Sequence, residues 1–281
     1  LYHQHDPADI EVYKAMFDRG MIYRGHKPVH WCKHCHTALA EAEIEYSDET
    51  SPSIFVRFEL TSKPAGLEGF DGPVDFIIWT TTPWTIPSDQ AVSLKPGEKY
   101  VAVEHDGRAE IMLEKLASSC CEQFGWEYTP VQIDGADYVV DAEVFYHLHY
   151  KQPVFDGVEG VALLADYVGT EDGTGIVHNS PGHGADDYYV GVMEGMDICM
   201  PVDDDGKFYV GDEFGCGGPF SGMDTDEANP HIIEFLRERG TLVMEKKITH
   251  SYPHCWRCKH PVLFRATDQW FVSMDKTGLR E

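Results

Sequence analysis

Basic residues are scarce in this chain. Lys and Arg together number 22 against 48 Asp and Glu, a formal net charge of −26. In dilute salt a field of that sign repels nucleic acid. The acids are scattered, as in Glu41, Glu43, Glu45, Asp48 and Glu49 or Asp203, Asp204 and Asp205, rather than gathered in a tail. Dispersed acids fit a halophile-like, high-salt cytosol, where charge is screened within about 3 Å at 1 M. The charge therefore excludes nucleic-acid partners only in dilute solvent. Long apolar runs are missing too, so no segment reads as a membrane span, and no signal-peptide pattern opens the sequence. Internal repeats and low-complexity tracts are absent. The opening residues Leu1-Tyr2-His3-Gln4-His5 read as the interior of a longer protein. What is present is 281 residues with a 42% apolar share, enough for one large domain or two of ordinary size.

Cysteine is present but unevenly used. Four of the eight fall into Cys-x-x-Cys pairs, Cys32/Cys35 and Cys255/Cys258; Cys120, Cys121, Cys199 and Cys216 have no ligand spacing. The tight turn inside such a pair points both sulfurs inward, so two pairs can close a tetrathiolate zinc site. In a cytoplasmic chain this argues for metal rather than disulfides. The pairs lie far apart, which fits a domain inserted between the halves of a small zinc ribbon. His34, His36, His254 and His260 flank the pairs and are read as surface histidines.

The remaining pattern is mostly β. Ile10, Val12, Tyr13, Met16 and Phe17 mark a helix over 8–20 that stops at Gly20. From Ser53 the period changes to two: Ile54, Val56, Phe58 and Leu60 face one way, Phe55, Arg57 and Glu59 the other. A buried strand follows at 74–78. Asp106-Gly107 between two apolar runs predicts a hairpin. A helix over about 114–124 ends at Gly125, and strands are expected at 138–140 and 161–167. A hairpin-like run surrounds Asp203-Asp204-Asp205-Gly206. Asn229 as cap, Pro230 in first position and Gly240 beyond predict another helix. Strands at 241–249 and 266–274 close the chain. The count points to an α+β, mainly β fold, a curled sheet or β-barrel with short helices, not a doubly wound one.

Two stretches carry chemistry. Trp79-Thr80-Thr81-Thr82-Pro83-Trp84-Thr85 leaves the end of the 74–78 strand, and Pro83 cannot continue a ladder. Hydroxyls, backbone N–H groups and two indoles crowd onto one turn, which suits a polar ligand with a small apolar part. Taken alone, threonines capping local backbone groups are the commoner outcome. Gly173 to Tyr189 reads as a strand bearing His178, a Gly-rich loop, Gly182-His183-Gly184, and a helix from Ala185 with Asp186 and Asp187 in its first turn. Glycines admit close backbone approach, and a helix start favours carboxylates. Neither a Ser-His-Asp nor a Cys-His set is legible.

Together, Trp79 to Thr85 and Gly173 to Tyr188 resemble the editing insertion, the first connective peptide, of isoleucyl-tRNA synthetases. Cys32 to Tyr46 and Tyr252 to Asp275 look like the strands and zinc knuckles that join that insertion to the synthetase core. The Thr-Thr-Thr-Pro-Trp-Thr form is specific, since valyl and leucyl relatives carry Thr-Thr-Arg-Pro there. The HIGH and KMSKS nucleotide-binding signatures of the family are absent, so the ATP site would lie in the parent enzyme.

The resemblance implies a division into a stem, 1–48 and 248–281, with a split zinc ribbon, and an editing domain, 49–247. It implies hydrolysis of Val-tRNA(Ile), and of valyl-adenylate. One methylene in a pocket is worth only about 1–3 kcal/mol, a figure established for this enzyme class rather than obtained from this chain. Thr80, Thr81, Thr82 and Asp187 would be catalytic: Asp187 pairs with the α-ammonium, and the threonines hold ribose and water. Substrate contacts are expected of Trp79, Trp84, His178, Gly182 and His183, with His178 and Trp79 excluding the extra methylene. Cys32, Cys35, Cys255 and Cys258 would hold structural zinc; the hydrolysis needs no cofactor. The partners would be the tRNA(Ile) acceptor end and the rest of the parent synthetase, with the chain monomeric. A non-catalytic tRNA-docking zinc module and a valyl-type editing domain are the alternatives.

Overall fold

The computed structural model describes residues 5–210 and 218–274. In chain order, the helix α1 (His5–Asp18) leads into strands β1 (Ile22–Cys32), β2 (Thr37–Leu39), β3 (Ile44–Glu59), β4 (Val74–Thr80), β5 (Ala91–Leu94), β6 (Lys99–His105) and β7 (Arg108–Leu113). Helix α2 (Glu114–Phe124) precedes β8 (Gln132–Ile133), β9 (Ala136–Asp137), β10 (Val139–Asp141), β11 (His149–Lys151), β12 (Glu159–Leu164) and β13 (Ile176–Asn179). The chain ends with α3 (Ala185–Met193), α4 (Thr225–Glu238), β14 (Leu242–Cys255) and β15 (Leu263–Val272).

The alternation read in the sequence sets the layers. Ile54, Val56 and Phe58 of β3 enter the main core, while Phe55 on the opposite face joins Ile77, Val101, Val103 and Met112 under α2. The six-stranded sheet runs β10-β6-β7-β4-β3-β14, and a four-stranded sheet, β11-β12-β5-β13, packs over it. Among the described residues no sheet closes on itself. The barrel alternative therefore gives way to open, curled sheets: β10 and β14 are free edges of the larger sheet. Asp106 and Gly107, with φ of 49° and 75°, make the β6–β7 hairpin through the positive-φ turn that Asp-Gly favours.

Two sequence expectations shift. The helix near Asn229 begins earlier. Asp224 is its cap, accepting from Asp226 N at 2.9 Å, and Pro230 lies inside α4. Asp224 and Asn229 both suit a cap; burial of Thr225 and Ala228 decides for Asp224. Asn229 Oδ1 instead accepts from Trp84 N at 2.9 Å. Residues 22–32, read only as a lead-in to the first knuckle, form a long strand, because β15 supplies its partner from Ile22↔Val272 to Trp31↔Leu263. Together with β2 they make the third sheet, which carries both cysteine pairs at one end with β14.

Under α2 the six-stranded sheet holds an ion network. Arg57 donates to Glu110 at 2.7 Å, and Arg108 to Asp75 at 2.7 Å and Glu59 at 3.0 Å. Asp75 and Glu110 are neighbours on β4 and β7. Burial first, then the Asp75 charge, pushes Glu110 up to about 7. Its folded value exceeds the ordinary 4.5, so the stability it contributes is present below 4.5 and is lost as pH rises through about 7. Glu110→Gln is expected to remove as much as about 3 kcal/mol of this pH dependence. Urea unfolding at pH 5 and pH 8 measures it, and equal slopes in both proteins would contradict the assignment.

Candidate functional site

The threonine turn is built by its own hydroxyls. Where β4 ends, Thr82 N donates to Thr80 Oγ1 at 3.1 Å, and the Thr80 and Thr82 hydroxyls lie 3.2 Å apart. A 3-10 turn, Pro83–Ser88, is buried throughout; Thr85 N and Thr85 Oγ1 both donate to Thr82 O, at 3.1 and 2.8 Å. Local capping and a ligand-facing turn thus coexist. Thr80 and Thr82 spend hydroxyl contacts on each other, whereas Thr81 Oγ1 has no protein partner among the described residues.

Strand β13 pairs antiparallel with β5 and brings the Gly-rich loop against this turn. Trp79, Thr80, Thr81, Thr82 and Thr85 on one side and Val177, His178, Ser180, His183 and Asp187 on the other enclose a crevice of about 290 Å³. That is near the lower end of the roughly 300–1,000 Å³ common for small-molecule sites. Gly184 caps α3, and a Cβ there would meet Asp187 Oδ2 at 2.8 Å. Only glycine lets the carboxylate fold back onto the loop.

Asp187 is held from both sides. Tyr167 OH donates to Oδ1 at 2.8 Å and Ser180 N to Oδ2 at 2.9 Å. Asn179 Nδ2 in turn donates to Tyr167 OH at 3.2 Å. Asp187 keeps an edge open to the crevice, yet protein surrounds most of its carboxyl. Burial raises its pKa above 3.8, against the Ser180 N–H, the His178 ring and the Tyr167 hydroxyl, which lower it. The helix start alone does not hold it in the ordinary range, as its sequence position suggests.

His178 is buried in the wall. Its Nε2 lies 3.1 Å from Thr85 Oγ1, and its Nδ1 3.5 Å from Asp89 Oδ1. The order Thr85, His178, Asp89 looks like a nucleophilic triad, but the protons run the wrong way. Thr85 Oγ1 spends its proton on Thr82 O, so it accepts from Nε2–H, and the imidazole cannot take a proton from it. His183 is brought down to about 4 by burial, so it is neutral at pH 7, and its Nδ1 donates to Phe264 O at 2.8 Å.

Two expected contacts lie off the crevice. Trp84 stands edge-on to His183, 4.7 Å between centroids, and lines a second crevice with Lys33, Tyr252 and Leu263. Thr81 and Thr82 form the wall between the two. Gly182 serves the frame: a Cβ would lie 2.2 Å from Cys199 O, and Gly182 O accepts from Ala266 N at 2.8 Å. Sequence reasoning missed Thr85 as a partner of His178, along with Asp89, Tyr167 and Ser180. Thr85 and Asp89 are signalled by nearness to the threonine run. Tyr167 has no local signal at all.

The four knuckle cysteines converge. The Sγ atoms of Cys32, Cys35, Cys255 and Cys258 lie within 4.8 Å of one another, close enough to bind a zinc ion. The donor set fits the metal. Cys35 N donates to Cys32 Sγ at 3.3 Å, and the N–H groups of Arg257 and Cys258 face Cys255 Sγ, as ligating thiolates require. His34, His36 and His260 are exposed, as expected. His254 is not a surface residue: its Nδ1 sits 2.9 Å from Ser47 Oγ and 2.8 Å from Tyr252 O. Cys120 and Cys121 are buried thiols on α2; Cys199 departs from the expectation of metal rather than disulfides, being disulfide-bonded, and Cys216 lies outside the described residues.

The family described as tRNA synthetases class I (I, L, M and V) matches residues 1–281. An isoleucine–tRNA ligase of Nitratidesulfovibrio vulgaris is 46% identical over 93% of this chain and 27% of the relative. One of Syntrophotalea carbinolica is 42% identical over 100% and 29%, and one of Fervidobacterium pennivorans 44% over 96% and 28%. The chain thus spans between a quarter and a third of the length of these relatives. The solved structure described as the crystal structure of GlLeuRS-CP1 shares the fold, with a TM-score of 0.52 at 13% identity, covering 69% of this chain and 99% of that one. With the match running its whole length and a CP1 fold shared over 69% of it, the chain belongs to the class I tRNA synthetases of the I, L, M and V group, as a segment of isoleucine–tRNA ligase sequence.

Proposed function

We propose that the chain is the proofreading insertion of an isoleucyl-tRNA synthetase and hydrolyses Val-tRNA(Ile), and valyl-adenylate. One observation carries this reading: Asp187, Thr80, Thr81 and Thr82 share one crevice walled by His178. Asp187, fixed by Tyr167 and Ser180, pairs with the α-ammonium of the misattached valine. Thr81 Oγ1 and the Thr80–Thr82 pair hold the terminal ribose and the attacking water. His178 and Trp79 exclude isoleucine. No side chain is placed as a nucleophile, so the rate comes from orienting water and ester and from donors to the oxyanion.

The thiolate cluster holds structural zinc, which would tie β1 to the end of β14. The stem comprises 1–48 and 248–281 and the editing domain 49–247. The β3–β14 ladder crosses this boundary without a break near Glu49↔His250. The rest of the parent, with the ATP site, covers the exposed Ile10, Tyr13 and Phe17 of α1 and Trp270 of β15. The tRNA(Ile) acceptor end reaches the crevice, and the protein works as a cytoplasmic monomer. Among the described residues no helix is long and apolar enough to cross a membrane.

The test is deacylation of Val-tRNA(Ile) against Ile-tRNA(Ile) by the 281-residue chain in molar KCl. Turnover of the valyl ester alone supports editing. Binding without turnover favours a docking module, and preference for Thr-tRNA(Val) a valyl-type domain, which the Thr at position 82 argues against. Because burial raises Asp187, the acid limb of kcat/KM is expected at a higher pH than an ordinary aspartate would give, and Tyr167→Phe should move it further up by removing a donor to the carboxylate. A limb unmoved by Tyr167→Phe would detach it from Asp187.

A further inference from the structure

We propose that Asp89 is a positioning residue that shares a single proton with His178 and thereby fixes the imidazole facing the crevice. Thr85 Oγ1 gives its proton to Thr82 O at 2.8 Å, so His178 Nε2, 3.1 Å away, must be the donor between them. Ser180 Oγ gives its proton to Thr85 O at 3.0 Å, so toward Nδ1, 3.5 Å away, it offers only a lone pair. The other neighbour of Nδ1 is Asp89 Oδ1 at 3.5 Å. An unprotonated Nδ1 beside an ionised Asp89 would set three lone pairs against one another in a site without solvent. One proton between Nδ1 and Oδ1 removes the conflict. The pair is neutral overall whether the proton rests on nitrogen or on oxygen.

The surroundings support that state. Asp89 has no solvent-exposed side-chain surface; Tyr150 OH donates to Oδ2, the Asn179 backbone N–H faces the carboxyl, and Oδ1, which makes no hydrogen bond, faces the His178 ring at 3.5 Å. Tyr150 is itself wholly buried, so the carboxyl is anchored from the four-stranded sheet. The other ionisable groups facing His178 are Asp187 on α3, with Tyr167 beyond it, and His183 in the preceding loop. His183 is neutral, so no second cation competes for the proton. The ring is thus hydrogen-bonded at Nε2 and paired electrostatically at Nδ1, which orients its edge toward the crevice.

The specificity part of this inference rests on the editing reading; the proton does not, and the experiment separates them. In the full chain, NMR of the His178 ring nitrogens and the Asp89 carboxyl carbon at pH 7.5 to 8 should show Nε2 protonated and one further proton on either Nδ1 or the carboxyl. A bare Nδ1 beside an ionised Asp89 would overturn the proposal. Asp89→Ala should free the ring and raise Ile-tRNA(Ile) hydrolysis relative to Val-tRNA(Ile) by about tenfold, the lower edge of what one methylene is worth. Asp89→Asn can donate to Nδ1 and accept from Tyr150, so it should recover the discrimination that alanine loses while Nδ1 no longer carries a proton. An Asp89→Ala chain with unchanged His178 signals and unchanged discrimination would also overturn it. If the parent chain hydrolyses neither ester, the editing reading fails and the NMR result still decides the pair. If Asp89→Ala does not fold, the Asp89→Asn spectrum decides.

Discussion

Asp187→Ala is expected to lower Val-tRNA(Ile) deacylation by about a hundredfold or more, the scale seen when a fixed electrostatic or positioning group is removed from a water-poor site. The carboxylate accepts from Tyr167 and Ser180, so it does not have to reorganise when the α-ammonium arrives. Its removal costs orientation as well as attraction. Asp187→Asn keeps shape and loses charge, so most of the loss should remain. The fold should survive both changes, because the crevice edge of Asp187 is open and α3 keeps Asp186 in its first turn. Thr82→Ala removes the partner of the Thr80 hydroxyl and should cost about tenfold, through misplaced water rather than lost binding. Single-turnover rates with matched tRNA decide. If both alanine variants deacylate at the parental rate, the crevice is not the catalytic site.

Cys255→Ser is expected to release about one zinc ion per chain and to loosen the stem. Binding energy at a structural zinc is folding energy, on the order of 10 kcal/mol in small zinc peptides. Here larger sheets share the load, so local opening is the expected consequence. Cys32 ends β1 and Cys255 ends β14, and both are wholly buried. Amide exchange should therefore rise in β1, β2 and β15 and stay slow in β4, β6 and β7, where the main core is complete. Metal analysis with exchange mass spectrometry reads both. Zinc retained in full by the serine variant would rule out the four-thiolate site.

Legibility in the sequence followed the range of the interaction. The alternation at 54–60, the Asp-Gly hairpin and the Gly125 stop were all readable, because neighbours in sequence settle them. Strand β1 was not, since residues 22–32 lack alternation and extend only because β15 lies beside them. Asn229 looked like a cap and became a clamp on Trp84, a choice made by packing. His254 looked superficial for the same reason: nothing nearby in sequence announces Ser47.

By itself the sequence determined the strand-rich class, the two cysteine pairs, and the threonine and Gly-His-Gly stretches with Asp187 at a helix start. These depend on side-chain period, turn stereochemistry and residue type, which are local properties. Only the tertiary structure decided that the two stretches face each other, that Tyr167 and Ser180 grip Asp187, that Trp84 and Gly182 turn away, and that Asp89 lies behind His178. Those facts depend on which strands pair and which polar groups must find partners once water is excluded, and that is fixed by the whole chain at once.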